Sequence, residues 1–142
     1  MSLSKKVVNK MINGDAFSQW LGIEVLEISK GFCKLKMEVR NEMTNGFSIA
    51  HGGISYSLAD SCLAFASNSY GIQSVSLETS ISHTKKVESG DILIATSKEI
   101  NKTTKTALYY IIITNQKNEE IAHFKGTVYR TDKKWFSEKV LI

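Results

Sequence analysis

Asp60 is the only formally charged side chain between Glu42 and Glu78. It falls within Gly52 to Tyr70, where Ile54, Leu58, Cys62 and Phe65 recur at helical spacing and Ala59, Ala64 and Ala66 fill the flanks. A helix without a charged face is normally buried. A lone carboxylate there is costly unless it is paired, hydrogen-bonded or protonated. Asp60 is therefore either a satisfied structural residue or a functional acid. The second option has chemical content, because a carboxylate in an apolar setting is a stronger base than one in water.

The segment just upstream is Asn45-Gly46-Phe47-Ser48-Ile49-Ala50-His51-Gly52-Gly53. Gly52 and Gly53 stand where a loop becomes the helix, and glycine there lets a ligand approach the backbone closely. The first turn of a helix has unpaired N–H groups and a partial positive charge, which together bind anions. If the anion is the oxygen of a tetrahedral intermediate, one such donor is worth on the order of 3 kcal/mol in the transition state. Otherwise the pair simply permits a tight turn. His51 is either a cap or a catalytic group, and Asn45 either orients a ligand or belongs to an Asn-Gly turn. His83 and His123 read as structural or surface residues. Asp60 follows Gly52 by two helical turns, roughly 12 Å at a rise of about 1.5 Å per residue. Within one chain the two cannot touch the same reacting carbon. In a symmetric dimer with two such helices antiparallel, Asp60 of one subunit can face Gly52 of the other.

The elements that must position these residues are legible in outline. Lys5 to Trp20 reads as an amphipathic helix that Gly14-Asp15 divides into two pieces. Ile23 to Ser29 is a strand and Lys30-Gly31 a turn. From Cys33 to Arg40 the alternation is clean, with Cys33, Leu35, Met37 and Val39 on the buried face. Asn41 to Ala50 is a loop before the helix. Gln73 to Thr84, Asp91 to Ile100, Thr104 to Thr114 and Glu120 to Arg130 are strands whose short connections predict antiparallel hairpins. The tail is apolar again at Trp135-Phe136 and Val140 to Ile142, which predicts docking on the sheet or on a partner. The fold class is α+β: one antiparallel sheet wrapped around one long central helix.

Composition narrows the function classes. A chain of 142 residues suits one domain, 1–142, with no linkers, repeats or proline. No apolar run approaches the 20 or so residues of a membrane span, and no signal-peptide pattern follows Met1 to Lys10. The expected location is the cytoplasm. Cys33 and Cys62 fit free, buried thiols and no metal spacing. The formal charge of +4 suits an anionic small molecule or plain solubility. Nucleic acid is not indicated, since there is no basic block, zinc spacing or RNP-type motif.

Asn45-Gly46, His51-Gly52-Gly53, Asp60 and Asn68-Ser69-Tyr70-Gly71 together resemble the signature of the hotdog-fold acyl-CoA thioesterases, nearest the PaaI-like, phenylacetate-pathway branch. The likeness extends from Leu21-Gly22-Ile23 through Gly31-Phe32 to Phe124-Lys125-Gly126 and Arg130. It implies hydrolysis of a small or aromatic acyl-CoA to the free acid and coenzyme A, with coenzyme A as part of the substrate and no other cofactor or metal. Asp60 would be nucleophile or general base, and the Gly52 N–H of the partner subunit would polarise the thioester carbonyl. His51 and Asn45 would orient that carbonyl or the helix start, with Gly53 beside them. Glu78 matches a position that often holds Ser, Thr or Glu near the catalytic acid. A homodimer or a tetramer of two dimers is implied. The chain departs from its relatives at His83-Thr84-Lys85-Lys86, where they commonly carry a Phe-Leu-Arg-Pro-like stretch. Lys85, Lys86, Lys125 and Arg130 are the candidate contacts to the coenzyme phosphates. Two other functions fit the same fold: an acyl-thioester hydratase or dehydratase using His51 or His83, and a non-catalytic acyl-CoA-binding module.

Overall fold

Gly14 and Asp15 cut the start of the chain into two helices. Gly14 closes α1 (Leu3–Asn13), and the Asp15 carboxylate opens α2 (Ala16–Leu21) by accepting the Ser18 N–H at 2.9 Å. The amphipathic stretch is in two pieces because a glycine ends one helix where an Asp cap begins the next. The structure, a computed structural model, describes residues 1–137. The apolar Val140 to Ile142 lie outside the described residues.

β1 (Glu24–Ser29) and β2 (Phe32–Glu38) form a hairpin whose turn holds Gly31 at φ 75°. Cys33, Leu35 and Met37 of β2 are buried, as the alternation predicts. After the loop come α3 (Gly52–Asn68), β3 (Ile72–His83), β4 (Ile92–Lys102), β5 (Thr106–Thr114) and β6 (Glu120–Lys134). The six strands make one antiparallel sheet in the order β1-β2-β4-β5-β6-β3. The β4–β5 and β5–β6 connections are hairpins. The connection through Ser89-Gly90 is not, because β3 pairs with β6 at one edge while β4 pairs with β2. β6 also runs past Arg130 to Lys134, and the Trp135 indole then donates to Asn68 Oδ1 at 2.8 Å. That part of the tail therefore docks on the C-terminal end of α3.

The sheet wraps α3. Leu58, Ala59, Cys62, Leu63, Phe65 and Ala66 of the helix join Leu35, Leu93, Tyr109, Ile111 and Phe124 in one core. Cys33 and Cys62 are free and buried. β6 lies so close to the helix that a Cβ on Gly126 would sit 2.6 Å from Leu63 Cδ2. The helix is not buried all round, however. Gly53, Ser57, Asp60, Ser61 and Ala64 share one stripe that stays at least partly exposed. The neighbouring sheet edge, β3, is also open, with Val75 57% and Leu77 60% exposed. Among the described residues no helix is long and apolar enough to cross a membrane.

Candidate active site

The start of α3 is tied down by its own sequence. His51 is the N-cap: its Nδ1 accepts the Gly53 N–H at 2.8 Å and its carbonyl accepts the Ile54 N–H at 2.9 Å. A Cβ on Gly53 would lie 3.0 Å from that ring nitrogen, so glycine there is what lets the histidine fold back as a cap. The Gly53 N–H is thereby used. The Gly52 N–H has no acceptor among the described residues, and is the free donor of the first turn.

Asn45 builds the loop that leads there. Its Oδ1 accepts the Phe47 N–H at 2.9 Å, and its own N–H donates to the Ile49 carbonyl at 2.8 Å. Ser48 completes the turn in the left-handed region at φ 62°. From the opposite side comes His83, the last residue of β3. Its Nε2 lies 3.0 Å from Ser55 Oγ and 3.2 Å from the Gly52 carbonyl. Asn45, Gly52, Ser55, His83, Lys85 and Lys86 line a cavity of about 400 Å³.

Asp60 stands two turns further along α3, on the partly exposed stripe. Among the described residues its carboxylate has no hydrogen-bond or ion-pair partner. Burial first, and then the nearby Asp15 carboxylate, raise its carboxyl above the ordinary aspartate value. Asp15 is held in place by the N-cap bond and by the Ser18 hydroxyl at 2.6 Å, which also meets Ser61 Oγ at 2.8 Å. An unpaired carboxylate of raised basicity, on the same helix as a free backbone donor, is a combination that can do acyl chemistry.

Other candidate residues are scattered by the strand register. Lys85 pairs with Glu119 at 2.8 Å and Lys86 with Glu88 at 3.1 Å, both exposed at the cavity rim. Lys125 is exposed between buried Phe124 and Gly126, so it points to the outer face of the sheet, away from α3. Arg130 stands opposite Ser74 and donates to the Thr103 carbonyl at 2.8 Å. Ser74 is on the order of 30 Å down β3 from His83 at about 3.3 Å per residue. In one chain the four cations are thus not one phosphate surface. Glu78 is likewise displaced: the register shifts between Ser76 and Glu78, leaving Glu78 opposite Thr127 on the outer face. Ser76, opposite buried Val128, is on the inner face instead, though itself exposed. His123 pairs with Glu120 at 3.1 Å on the surface.

His83 is an exposed residue that hydrogen-bonds at the helix start, a contact that its sequence reading as structural or surface does not foresee. The signal was its alternation with Ile81, a partly buried residue packed on the core, which places both on the inner face. Ser55 and Asp15 were also missed. A serine in a helix and an Asp after glycine carry no chemical signature until their neighbours are known. Among the described residues no group of three His, Cys, Asp or Glu side chains could hold a metal.

Comparison with known proteins gives the family and the fold. The model of the thioesterase superfamily matches residues 47–122. A protein of Archaeoglobus fulgidus is 39% identical over 128 residues, 90% of this chain and 83% of its own. The acyl-coenzyme A thioesterase PaaI of Escherichia coli is 35% identical over 120 residues, 84% of this chain and 86% of that protein. The solved structure of E. coli PaaI, from the phenylacetic acid degradation operon, superposes with a TM-score of 0.91 at 32% identity, covering 93% of this chain and 96% of that one. A Streptococcus mutans protein solved with acetyl-CoA superposes at 0.76 with 28% identity, covering 79% of this chain and 90% of that one. The chain belongs to the thioesterase superfamily and, within it, to the PaaI-like hotdog-fold thioester hydrolases.

Proposed function

We propose that this enzyme hydrolyses a small or aromatic acyl-CoA at two sites shared between the subunits of a homodimer. The observation that carries the reading is the free Gly52 N–H at the mouth of the cavity, on the same helix as the unpaired Asp60. The two groups are about 12 Å apart along α3, so one chain supplies only half of each site. The open β3 edge and the stripe of small residues beside it support pairing with a second copy, with the two α3 helices antiparallel. Asp60 of one subunit then faces the Gly52 N–H of the other.

In this reading the Gly52 N–H donates a hydrogen bond to the thioester oxygen as charge develops on it. Asp60 takes a proton from water as the water oxygen bonds to the carbonyl carbon. Collapse of the tetrahedral intermediate breaks the carbon–sulfur bond, and the proton returns from Asp60 to the departing thiolate. Direct attack by Asp60 would instead pass through an anhydride. Hydrolysis in ¹⁸O-water reads this out on one side: label in the Asp60 carboxylate after a single turnover shows an anhydride opened by water at the Asp60 carbon. A thioester is already activated, so the reading requires no metal or further cofactor; coenzyme A belongs to the substrate. The likeness to PaaI and to a relative solved with acetyl-CoA supports this substrate class. The test is release of free thiol over a panel of acyl-CoAs. Turnover of enoyl thioesters without thiol release would favour a hydratase, and binding without turnover an acyl-CoA-binding module.

A further inference from the structure

Gly52 and Gly53 would be the freest backbone in the chain if nothing held them. The peptide joining them is gripped at both ends by histidine. His51 Nδ1 takes its N–H at 2.8 Å, and His83 Nε2 lies 3.2 Å from its carbonyl. The His83 ring also lies against the Gly52 α-carbon, since a Cβ there would meet ring atoms at 3.3 and 3.6 Å.

The tautomer follows from the partners. A carbonyl oxygen can only accept, so Nε2 must carry a proton to bond with Gly52 O. Ser55 Oγ lies 3.2 Å from the same carbonyl and can donate to it, which leaves its lone pair to accept from Nε2–H at 3.0 Å. That assignment satisfies every contact. The alternative, with the Ser55 hydroxyl donating to a bare Nε2, would make a serine–histidine nucleophile pair. It would also set a nitrogen lone pair against the carbonyl oxygen.

We propose that His83 is a positioning residue for the oxyanion donor. Its Nε2–H pins the Gly52–Gly53 peptide from the β3 side, opposite the His51 cap, and so fixes the direction of the free Gly52 N–H. This rests on the role given to Gly52 under the proposed function. It assigns a purpose to a histidine that the sequence reading leaves as structural or surface. The charged and titratable groups around the ring are His51 at the helix start and, on the following loop, Lys85 and Lys86 with their partners Glu119 and Glu88.

The test compares His83→Phe, which keeps a ring and loses the donor, with His83→Gln, whose amide can place an N–H where Nε2 stood. On the best acyl-CoA, His83→Phe should lower kcat about 10-fold with KM changed less than about two-fold, since the donor is misdirected rather than removed. His83→Gln should recover most of that loss. The pH profile of kcat should keep its shape in both variants, because both neutral Nε2–H imidazole and imidazolium can donate. In the unliganded protein, ¹⁵N spectra of the ring should report the Nε2–H tautomer, and the Gly53 amide, the N–H of the clamped peptide, should exchange faster with solvent in His83→Phe. An Nδ1–H tautomer, an unchanged kcat in His83→Phe, or a titration limb that vanishes with the imidazole would each overturn the proposal. If the wild-type protein releases no thiol from any acyl-CoA, the functional reading fails, and the tautomer and exchange measurements still decide the clamp.

Discussion

At the scale of single residues, the proposed function rests on Asp60, and the environment of that carboxylate gives three expectations. Asp60→Asn should lower kcat by at least about 10², measured as thiol release from the best acyl-CoA; near-normal turnover would make Asp60 structural. Because its folded-state carboxyl is raised above the ordinary value, the residue favours folding when protonated. That contribution is fully present below the unfolded-state pKa and is lost as pH rises through the folded-state one. Asp60→Asn should therefore melt no lower than wild type at neutral pH, as scanning calorimetry would record. The same raised pKa places the acid limb of kcat above the ordinary aspartate range. Asp15→Asn, by removing the neighbouring negative charge, should move that limb to lower pH. An unmoved limb would show that Asp15 does not act on Asp60.

At the scale of elements, the approach of β6 to α3 and the loop after β3 do separate work. Gly126 permits contact with Leu63, where a Cβ would come within 2.6 Å of Cδ2. Gly126→Ala should cost about 1–3 kcal/mol through overpacking, read from the midpoint of urea unfolding; an unchanged midpoint would mean that Leu63 simply turns aside. The β3–β4 loop presents Lys85 and Lys86 at the cavity rim, each paired with an exposed glutamate that a phosphate could displace. Charge reversal at both should raise KM for acyl-CoA several-fold, most at low ionic strength, and spare kcat. A short thioester without the nucleotide should be unaffected. Equal impairment of both substrates would remove these lysines from the coenzyme site.

At the scale of the whole molecule, the open edge of β3 is the feature most in need of a partner. A twelve-residue edge strand with exposed Val75 and Leu77 is a template for pairing with another chain. Light scattering at micromolar concentration should give a dimer or a tetramer of two dimers. A double substitution, Val75→Lys with Leu77→Lys, should shift the protein toward monomer. Far-UV circular dichroism should be retained while turnover is lost, because in the shared-site reading each monomer keeps only half a site. A monomer that still hydrolysed acyl-CoA at the wild-type rate would end the shared-site reading.

What the sequence determined by itself was whatever depends on local pattern. The β2 alternation, the Gly14-Asp15 break, the apolar run of α3 and the spacing from Asn45 through His51 to Asp60 are all short-range. Each follows from periodicity, capping or backbone freedom within one segment. Strand partners are not local. Only the tertiary structure decided that β3 crosses to β6, that the register shifts between Ser76 and Glu78, and that Lys125 and Arg130 leave the neighbourhood of Lys85. A shift of one residue in register reverses which face a side chain occupies. Glu78, singled out by the resemblance alone, stands after that shift opposite Thr127 on the outer face. The same long-range pairing carries His83 to the start of α3, a contact between residues 31 apart in the chain.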